Sequence, residues 1–276
     1  MSATRVAVVT GSNKGIGLSI VKALCSQFQG DVILTSRDEK NGKTACSTLN
    51  ELGLSPKFHQ LDITDKESVK RLAEHLKTQY GGLDLLVNNA GLAYKVASTA
   101  PPEEKARVTV GVNFFGTLDV CHQLFPLLRP SGRVVHVASQ SGLLRRIKNV
   151  ELESKLSSAT LAEDELVQLA HSYIKEVVEA GEGGKPKNWP HDSAYSVSKA
   201  LMIALAKVQA RDLASQRPGD KICINACCPG YVCTDMTSHK GPLTPDQGAE
   251  TPVMLSLLPD ASPTGDFYYL KKVIEW

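Results

Sequence analysis

Short β-branched runs alternate with longer amphipathic stretches along most of the chain, and that rhythm leaves few folds open. Apolar runs at 5–10, 31–36, 57–62, 83–88, 132–139, 221–228 and 266–270 read as strands. Stretches at 15–28, 39–52, 66–80, 103–128 and 195–217 read as helices between them. Strand and helix in alternation mark a parallel sheet covered by helices. Val6-Ala-Val-Val9 and Val32-Ile-Leu34 are apolar on consecutive positions, as strands buried on both faces require. The expected fold is therefore an α/β, doubly wound parallel sheet. A chain of 276 residues can enclose that sheet in a single domain, 1–276, and no repeat, low-complexity tract or long linker divides it.

One stretch breaks the rhythm. The segment between Ser139 and Tyr195 is too long for a simple connection. Within it, 160–180 reads as an acidic amphipathic helix, ended by Gly181-Glu-Gly-Gly-Lys-Pro186 because Gly and Pro are poor in helix interiors. The span of about 143–189 is expected to be an inserted helical flap rather than a second domain.

Composition narrows the function classes. A net charge of +2 gives no support for nucleic-acid or membrane binding. A short basic run such as Arg145-Arg146-Ile147-Lys148 reads as solvated surface. The seven cysteines form no Cys-x-x-Cys pair, and no His pair shows zinc-ligand spacing, so no metal site is expected. The N-terminal Met-Ser-Ala-Thr-Arg runs into the first strand without the apolar core of a signal peptide, and no apolar run approaches the roughly 18 residues of a membrane span. The expectation is a cytoplasmic protein with reduced thiols.

Chemistry concentrates at strand ends. Gly11-x-x-x-Gly15-x-Gly17 lies between the first strand and the first helix. A pyrophosphate needs close backbone and N–H groups pointing at it, which glycines and a helix N-terminus supply. The spacing differs from Gly-x-Gly-x-x-Gly, and a structural turn is the bland alternative, but the place after the first strand of a βαβ unit favours a dinucleotide in a Rossmann-type fold. Strand two ends Thr35-Ser36-Arg37, and Lys14 sits inside the glycine loop. Two cations where the adenosine ribose belongs suit the 2′-phosphate of NADPH, whereas an acid there would bind the 2′-hydroxyl of NADH. Plain surface charge is the other reading of the two cations, and Asp38 is close enough to complicate the first.

Tyr195-Ser-Val-Ser-Lys199 places a phenol and an ammonium one helical turn apart on one face. A free phenol, with a pKa of about 10, exchanges protons poorly near neutrality. A neighbouring ammonium, together with the charge of an oxidised nicotinamide, favours the phenolate. Tyr268-Tyr-Leu-Lys-Lys272 repeats the spacing, in a C-terminal strand and tail, and reads as a chance match. Ser139 closes the strand Val134-Val-His-Val-Ala138, where ligands of open α/β sheets bind; Ser141 is its competitor.

Thr10-Gly-x-x-x-Gly-x-Gly17, Asn88-Asn-Ala-Gly91, Asn113, Ser139 and Tyr195-x-x-x-Lys199, in this order, resemble the short-chain dehydrogenase/reductase superfamily over essentially the whole chain. Asn13-Lys14, Asn113-Phe-Phe-Gly116, Asn225-Ala-Cys-Cys-Pro-Gly230 and the long insert resemble, more narrowly, the animal cytosolic NADPH-dependent carbonyl reductases. The resemblance implies that Tyr195 is the general acid, that Lys199 holds the nicotinamide ribose and lowers the tyrosine pKa, that Ser139 polarises the substrate carbonyl, and that Asn113 anchors a water serving Lys199. It implies cofactor contacts from Gly11, Asn13, Lys14, Gly15, Ile16, Gly17, Arg37, Asp62, Ile63, Asn89, Ala90, Gly91, Val232 and Thr234. It implies a substrate pocket walled by Tyr94, Val96, Gln140, Ser141, Trp189 and Tyr231, small carbonyl compounds as substrates, and a monomer whose insert covers the surface used for assembly in most relatives. Tyr231 stands where the carbonyl reductases carry Trp, Cys233 replaces a basic residue, and Lys105 replaces an uncharged amide in a loop linked to glutathione binding, so substrate range stays open. A dedicated NADP-dependent dehydrogenase for a prostaglandin-, steroid- or pterin-like alcohol, and a non-catalytic nucleotide-binding regulator, are the rival readings.

Overall fold

The computed structural model describes residues 4–189, 193–260 and 262–276; Met1 to Ala3 of the N-terminal stretch lie outside the described residues. All seven expected strands form: β1 Val6–Val9, β2 Asp31–Ser36, β3 Lys57–Gln60, β4 Leu83–Asn88, β5 Leu128–Val137, β6 Cys223–Cys228 and β7 Phe267–Tyr269. A short β8, Lys272–Val273, was not visible in the apolar pattern. The strands make one sheet in the order β3-β2-β1-β4-β5-β6-β7-β8, parallel throughout except for the antiparallel β7–β8 pair. The strand order reverses between β1 and β4, and a doubly wound sheet leaves its ligand crevice at the carboxyl ends of the strands beside that reversal.

The helices are α1 Gly15–Gln27, α2 Glu39–Glu51, α3 Lys66–Tyr80, α4 Pro102–Val110, α5 Thr117–Leu124, α6 Val150–Ser157, α7 Glu163–Ala180, α8 Ala194–Gln216 and α9 Pro245–Ser256. Strand side chains alternate between two cores, which explains the unbroken apolar runs. Val6 and Val8 pack with Leu72 of α3, Val120 of α5 and Met202 of α8. Ala7 and Val9 pack on the other face with Ile20 of α1, Leu49 of α2 and Val253 of α9.

Three expectations need correction. The single helix expected over 103–128 is interrupted: α4 passes into a π-helical segment, Gly111–Gly116, then α5, a 3₁₀ turn at Phe125–Leu127 and the start of β5. Pro126 accounts for the stop, since it removes a helix donor and crowds the preceding turn. The insert carries two helices, α6 and α7, where one was expected. Helix α9 escaped notice because Pro252 lies inside it and reads as a breaker.

α7 sets Leu166, Ala170, Tyr173, Ile174 and Val177 against Ala106 and Val110 of α4 and Leu201, Ala204 and Leu205 of α8. Met202, Ile203 and Ala206 of α8 face the sheet instead. α8 thus buries apolar side chains on two faces, against the sheet and against the insert. Beneath it lies a buried polar group. His136 Nε2 meets Gln209 Oε1 at 3.1 Å, and Asn88 Nδ2 lies 3.5 Å from His136 Nδ1 and 3.4 Å from Cys121 Sγ. Burial pulls the His136 pKa down to about 4 despite the Gln209 bond, with Lys199 adding to the fall. The neutral ring protonated at Nε2 satisfies both contacts. Among the described residues no helix is long and apolar enough to cross a membrane.

Candidate active site

The loop after β1 is fixed from two sides. Ser12 Oγ donates to Val9 O at 2.8 Å and accepts from Thr35 N at 3.0 Å. Across the strand reversal, Asn89 Nδ2 donates to the carbonyls of Thr10 and Gly11, both at 3.0 Å, while Asn89 N and Ala90 N donate to Thr10 Oγ1. Gly11 has φ +59°, and a Cβ there would stand 2.8 Å from Ala90 Cα. Only glycine meets both demands.

Gly15, Ile16 and Gly17 open α1, and that opening is unusual in having neither a side-chain cap nor an acid in its first turn. Its N–H groups and the positive end of the helix dipole stay free for an anion. Asn13 is half-buried in the same loop and Lys14 is exposed. Arg37 is exposed just past β2. Asp38, the complication at this strand end, caps α2 by accepting from Asn41 N at 2.7 Å. An uncapped helix start with two cations beside it, and the neighbouring acid turned to another helix, fits a phosphorylated dinucleotide. Lys14 also has a partner that no local pattern revealed: its Nζ lies 2.6 Å from Asp235 Oδ2. Both side chains are more than half exposed, so the pair contributes little to stability.

Asp235 belongs to a segment that returns over the loop. Val232 is buried, and a Cβ on Gly248 of α9 would meet it at 2.6 Å and Ile16 at 3.4 Å. Thr234 Cγ2 lies 3.4 Å from where a Gly15 Cβ would stand. Thr234 thus lies against the glycine loop, and Val232 packs on α9 beside it. Asp62 accepts from Thr64 N and Oγ1, and Ile63 is buried under Gly116.

The candidate catalytic side chains assemble at the ends of β4 and β5. Tyr195 and Lys199 share the first turns of α8, which Ser193 caps. Ser139 Oγ accepts from Ser141 N at 3.1 Å, and Ser139 lies near enough to the Tyr195 phenol to lower its pKa. Ser139, and not Ser141, thus acts on the tyrosine; Ser141 Oγ is buried without a partner among the described residues. Lys199 is 4 % exposed. Its Nζ donates to Val137 O at 2.8 Å, touches Met202 Sδ at 3.4 Å and stands 5.5 Å from the centre of the Tyr195 ring. Gly142 makes this approach possible, because a Cβ there would lie 2.4 Å from both Ala200 N and Lys199 C.

Burial dominates the titrations. It pushes the Tyr195 phenol up to about 12, helped by Cys228 and opposed by the nearby Ser139 hydroxyl. It pulls Lys199 down to about 8. The free protein thus departs from the expectation of a lowered tyrosine pKa, because Lys199 bonds a backbone carbonyl rather than the phenol and is itself desolvated.

Asn113 sits in the π-helical segment and acts as a brace. Its Oδ1 accepts from Leu92 N at 2.8 Å; its Nδ2 donates to Leu92 O and Ser198 Oγ, each at 2.9 Å. Ser198 Oγ donates in turn to Tyr195 O at 2.7 Å. Both amide hydrogens are spent on protein, joining the loop after β4 to the turn that carries Tyr195. Gly91 completes the corner, its Cβ position 3.1 Å from Asn113 Oδ1 and 3.6 Å from Lys199 Nζ. Ser198 was missed by the sequence reading, although its place three residues after Tyr195 was in plain view.

The expected substrate walls divide. Gln140 begins the turn beside Ser139 and Tyr231 is 54 % exposed after β6. Tyr94 donates to Glu104 Oε1 at 2.8 Å and lines a cleft of about 510 Å³ with Leu92, Ala97 and Val108. Val96 is wholly exposed and forms no wall. Trp189 must be corrected: only 1 % exposed, it sets its ring edge on Tyr173 and its indole N–H on Ser172 Oγ at 3.2 Å, inside the insert. The indole borders a cleft of about 490 Å³ within the insert, with Asn149, Leu152 and Glu176, and not the cleft beside Tyr94.

A model of short chain dehydrogenases matches residues 5–151 and 177–243. The chain belongs to that family. The unmatched stretch between the two blocks falls in the insert and takes in most of α6 and α7. Carbonyl reductase (NADPH) 1 of Mus musculus is 50 % identical, over 100 % of this chain and 100 % of the relative, and that of Bos taurus is 49 % identical over 100 % and 99 %. Among solved structures, salutaridine reductase from Papaver somniferum superposes with a TM-score of 0.83 at 33 % identity, covering 96 % of this chain and 99 % of the other. Menthone neomenthol reductase from Mentha piperita gives 0.79 at 33 % identity, covering 96 % and 98 %.

Proposed function

We propose that the chain is an NADPH-dependent carbonyl reductase that converts aldehydes, ketones or quinones to alcohols. The observation that carries this reading is the gathering of Ser139, Tyr195 and Lys199, the last one turn on from the tyrosine, at the strand ends beside the uncapped start of α1. The full-length similarity to proteins named as NADPH carbonyl reductases supports it. When bound, NADPH supplies a hydride to the carbonyl carbon. The chain's own residues do the rest. Ser139 donates to the carbonyl oxygen and polarises it, and Tyr195 delivers its proton to that oxygen as charge develops there. A phenol held near 12 is protonated throughout the neutral range, as an acid must be at the start of reduction. Lys199 stabilises the phenolate left behind, and Asn113 holds the turn in place through Ser198. With all four positions filled, no observation favours a non-catalytic nucleotide binder.

Lys14 and Arg37 would bind the 2′-phosphate, with Lys14 exchanging Asp235 for it. The test follows NADPH absorbance with quinones, α-dicarbonyls, aromatic aldehydes and ketosteroids, with NADH run beside it. Broad turnover preferring NADPH is expected. Lys14→Ala with Arg37→Asp should move the preference towards NADH by about a hundredfold, from charge-assisted bonds of about 1.5–3 kcal/mol each. An unchanged ratio would remove the phosphate reading.

The enzyme is further proposed to be a cytoplasmic monomer. The support for a monomer is that α7 covers the outer faces of α4 and α8 with apolar side chains. Sedimentation equilibrium should return the mass of one chain, and a dimer mass would overturn the reading.

A further inference from the structure

We infer that Trp276 is a positioning residue for Ser139, acting through the carbonyl of Gly142. The inference rests on the reading of Ser139 as a catalytic residue.

The short β8 is what brings Trp276 to the site. Leu270 and Lys271 take left-handed backbone, φ 49° and 62°, and reverse the chain after β7. Lys271 N donates to Thr251 Oγ1 of α9 at 3.2 Å, and Ile274 N donates to Phe267 O at 2.9 Å, so the returning strand is pinned on both sides. Trp276 then lies partly buried where the sheet-side core and the insert-side core meet. Lys207 of α8 stands 5.9 Å over its ring.

Its indole Nε1–H donates to Gly142 O at 2.8 Å. Gly142 closes the 3₁₀ turn Gln140–Gly142, and Ser139 is the residue capping the start of that turn. The turn is short and pressed on α8 at Lys199 and Ala200, with no side chain at Gly142 to hold it there. At its near end Ser139 Oγ accepts from Ser141 N, beside the Tyr195 phenol. At its far end the indole fixes the carbonyl. Gly142 is buried, so without the indole its carbonyl is left facing protein, and the turn gains a reason to shift. Ser139 must stay aligned with both Tyr195 and a substrate oxygen, and a displacement on the order of 1 Å can cost about a hundredfold in rate. The tail after β7 thereby becomes part of the alignment of the active site.

The experiment is a double-mutant cycle of Trp276→Phe and Ser139→Ala, read as kcat, KM and NADPH affinity from nicotinamide fluorescence. Trp276→Phe should lower kcat about tenfold, with NADPH affinity within about twofold, since the turn serves the substrate and not the cofactor phosphates. In the Ser139→Ala background the same change should cost almost nothing further, because the group it aligns is gone. Equal losses in both backgrounds, no loss in either, or NADPH affinity falling in step with kcat would overturn the proposal. Normal turnover of Ser139→Ala alone would remove the catalytic reading of Ser139 on which it rests, an outcome distinct from failure of the Trp276 link. Should Phe leave the protein poorly folded, benzothienylalanine at 276 keeps the bicyclic shape and removes only the N–H; the same tenfold loss is expected, and unchanged kcat overturns the role.

Discussion

Tyr195→Phe is expected to lower kcat for carbonyl reduction by about a thousandfold, roughly 4 kcal/mol, while NADPH affinity changes by no more than about threefold. The magnitude follows from what the substitution removes. Phe keeps the ring, and so keeps its packing and its contact with the Lys199 ammonium, 5.5 Å from the ring centre. It loses the proton that is transferred to the substrate oxygen. Ser139 retains its bond to Ser141 N and can still polarise the carbonyl, which is why the loss stops short of abolishing turnover. Burial holds the phenol near 12 and Lys199 near 8, so at neutral pH the tyrosine carries its proton and most of the lysine is charged. That combination pairs a reluctant acid with a cation ready to receive the phenolate it becomes. Stopped-flow loss of NADPH absorbance measures the step directly. Turnover within about tenfold of the parent would mean that another group supplies the proton, and the assignment of Tyr195 would fail.

Much of this site was legible before any coordinates, for reasons that differ by residue. The glycine loop and the Tyr195–Lys199 pair are local: a few consecutive positions encode a turn and one helical face. The consecutive apolar positions of β1 and β2 showed that both faces of the sheet are covered, and two separate cores confirm it. What stayed hidden depends on long-range contact. The Lys14–Asp235 pair joins positions 221 residues apart, and Trp276 reaches Gly142 across 134. Trp189 misled for a related reason. An aromatic residue near the end of an insert suits a pocket wall as well as a core, and only the packing of Tyr173 and Ser172 around it decides for the core. Short elements rich in proline, such as α9, lack the periodicity that announces a helix.

His136 produces the second large effect, on stability rather than rate. Its folded pKa is about 4 against a reference of 6.5. Between those values the unfolded chain takes up a proton that the folded chain refuses, so falling pH favours unfolding. The contribution is fully present above about pH 6.5 and is lost as pH falls towards 4, up to about 3 kcal/mol from 1.36 kcal/mol per unit. Between pH 7.5 and 5 the expected loss is about 2 kcal/mol. Burial lowers His59, while the Glu163 carboxylate raises His122 and works in the opposite sense. Both are only half-buried or exposed, and both are present in parent and variant alike. His136→Gln therefore isolates the ring. The variant has its own stability at pH 7.5, because the bond to Gln209 is disturbed, but it carries no proton to be refused. Urea unfolding of each protein at pH 7.5 and 5 should show the parent losing about 2 kcal/mol more than the variant over that interval. Equal losses would mean that the buried imidazole finds a way to be charged in place, with Asn88 Oδ1, which has no partner among the described residues, as the acceptor at hand.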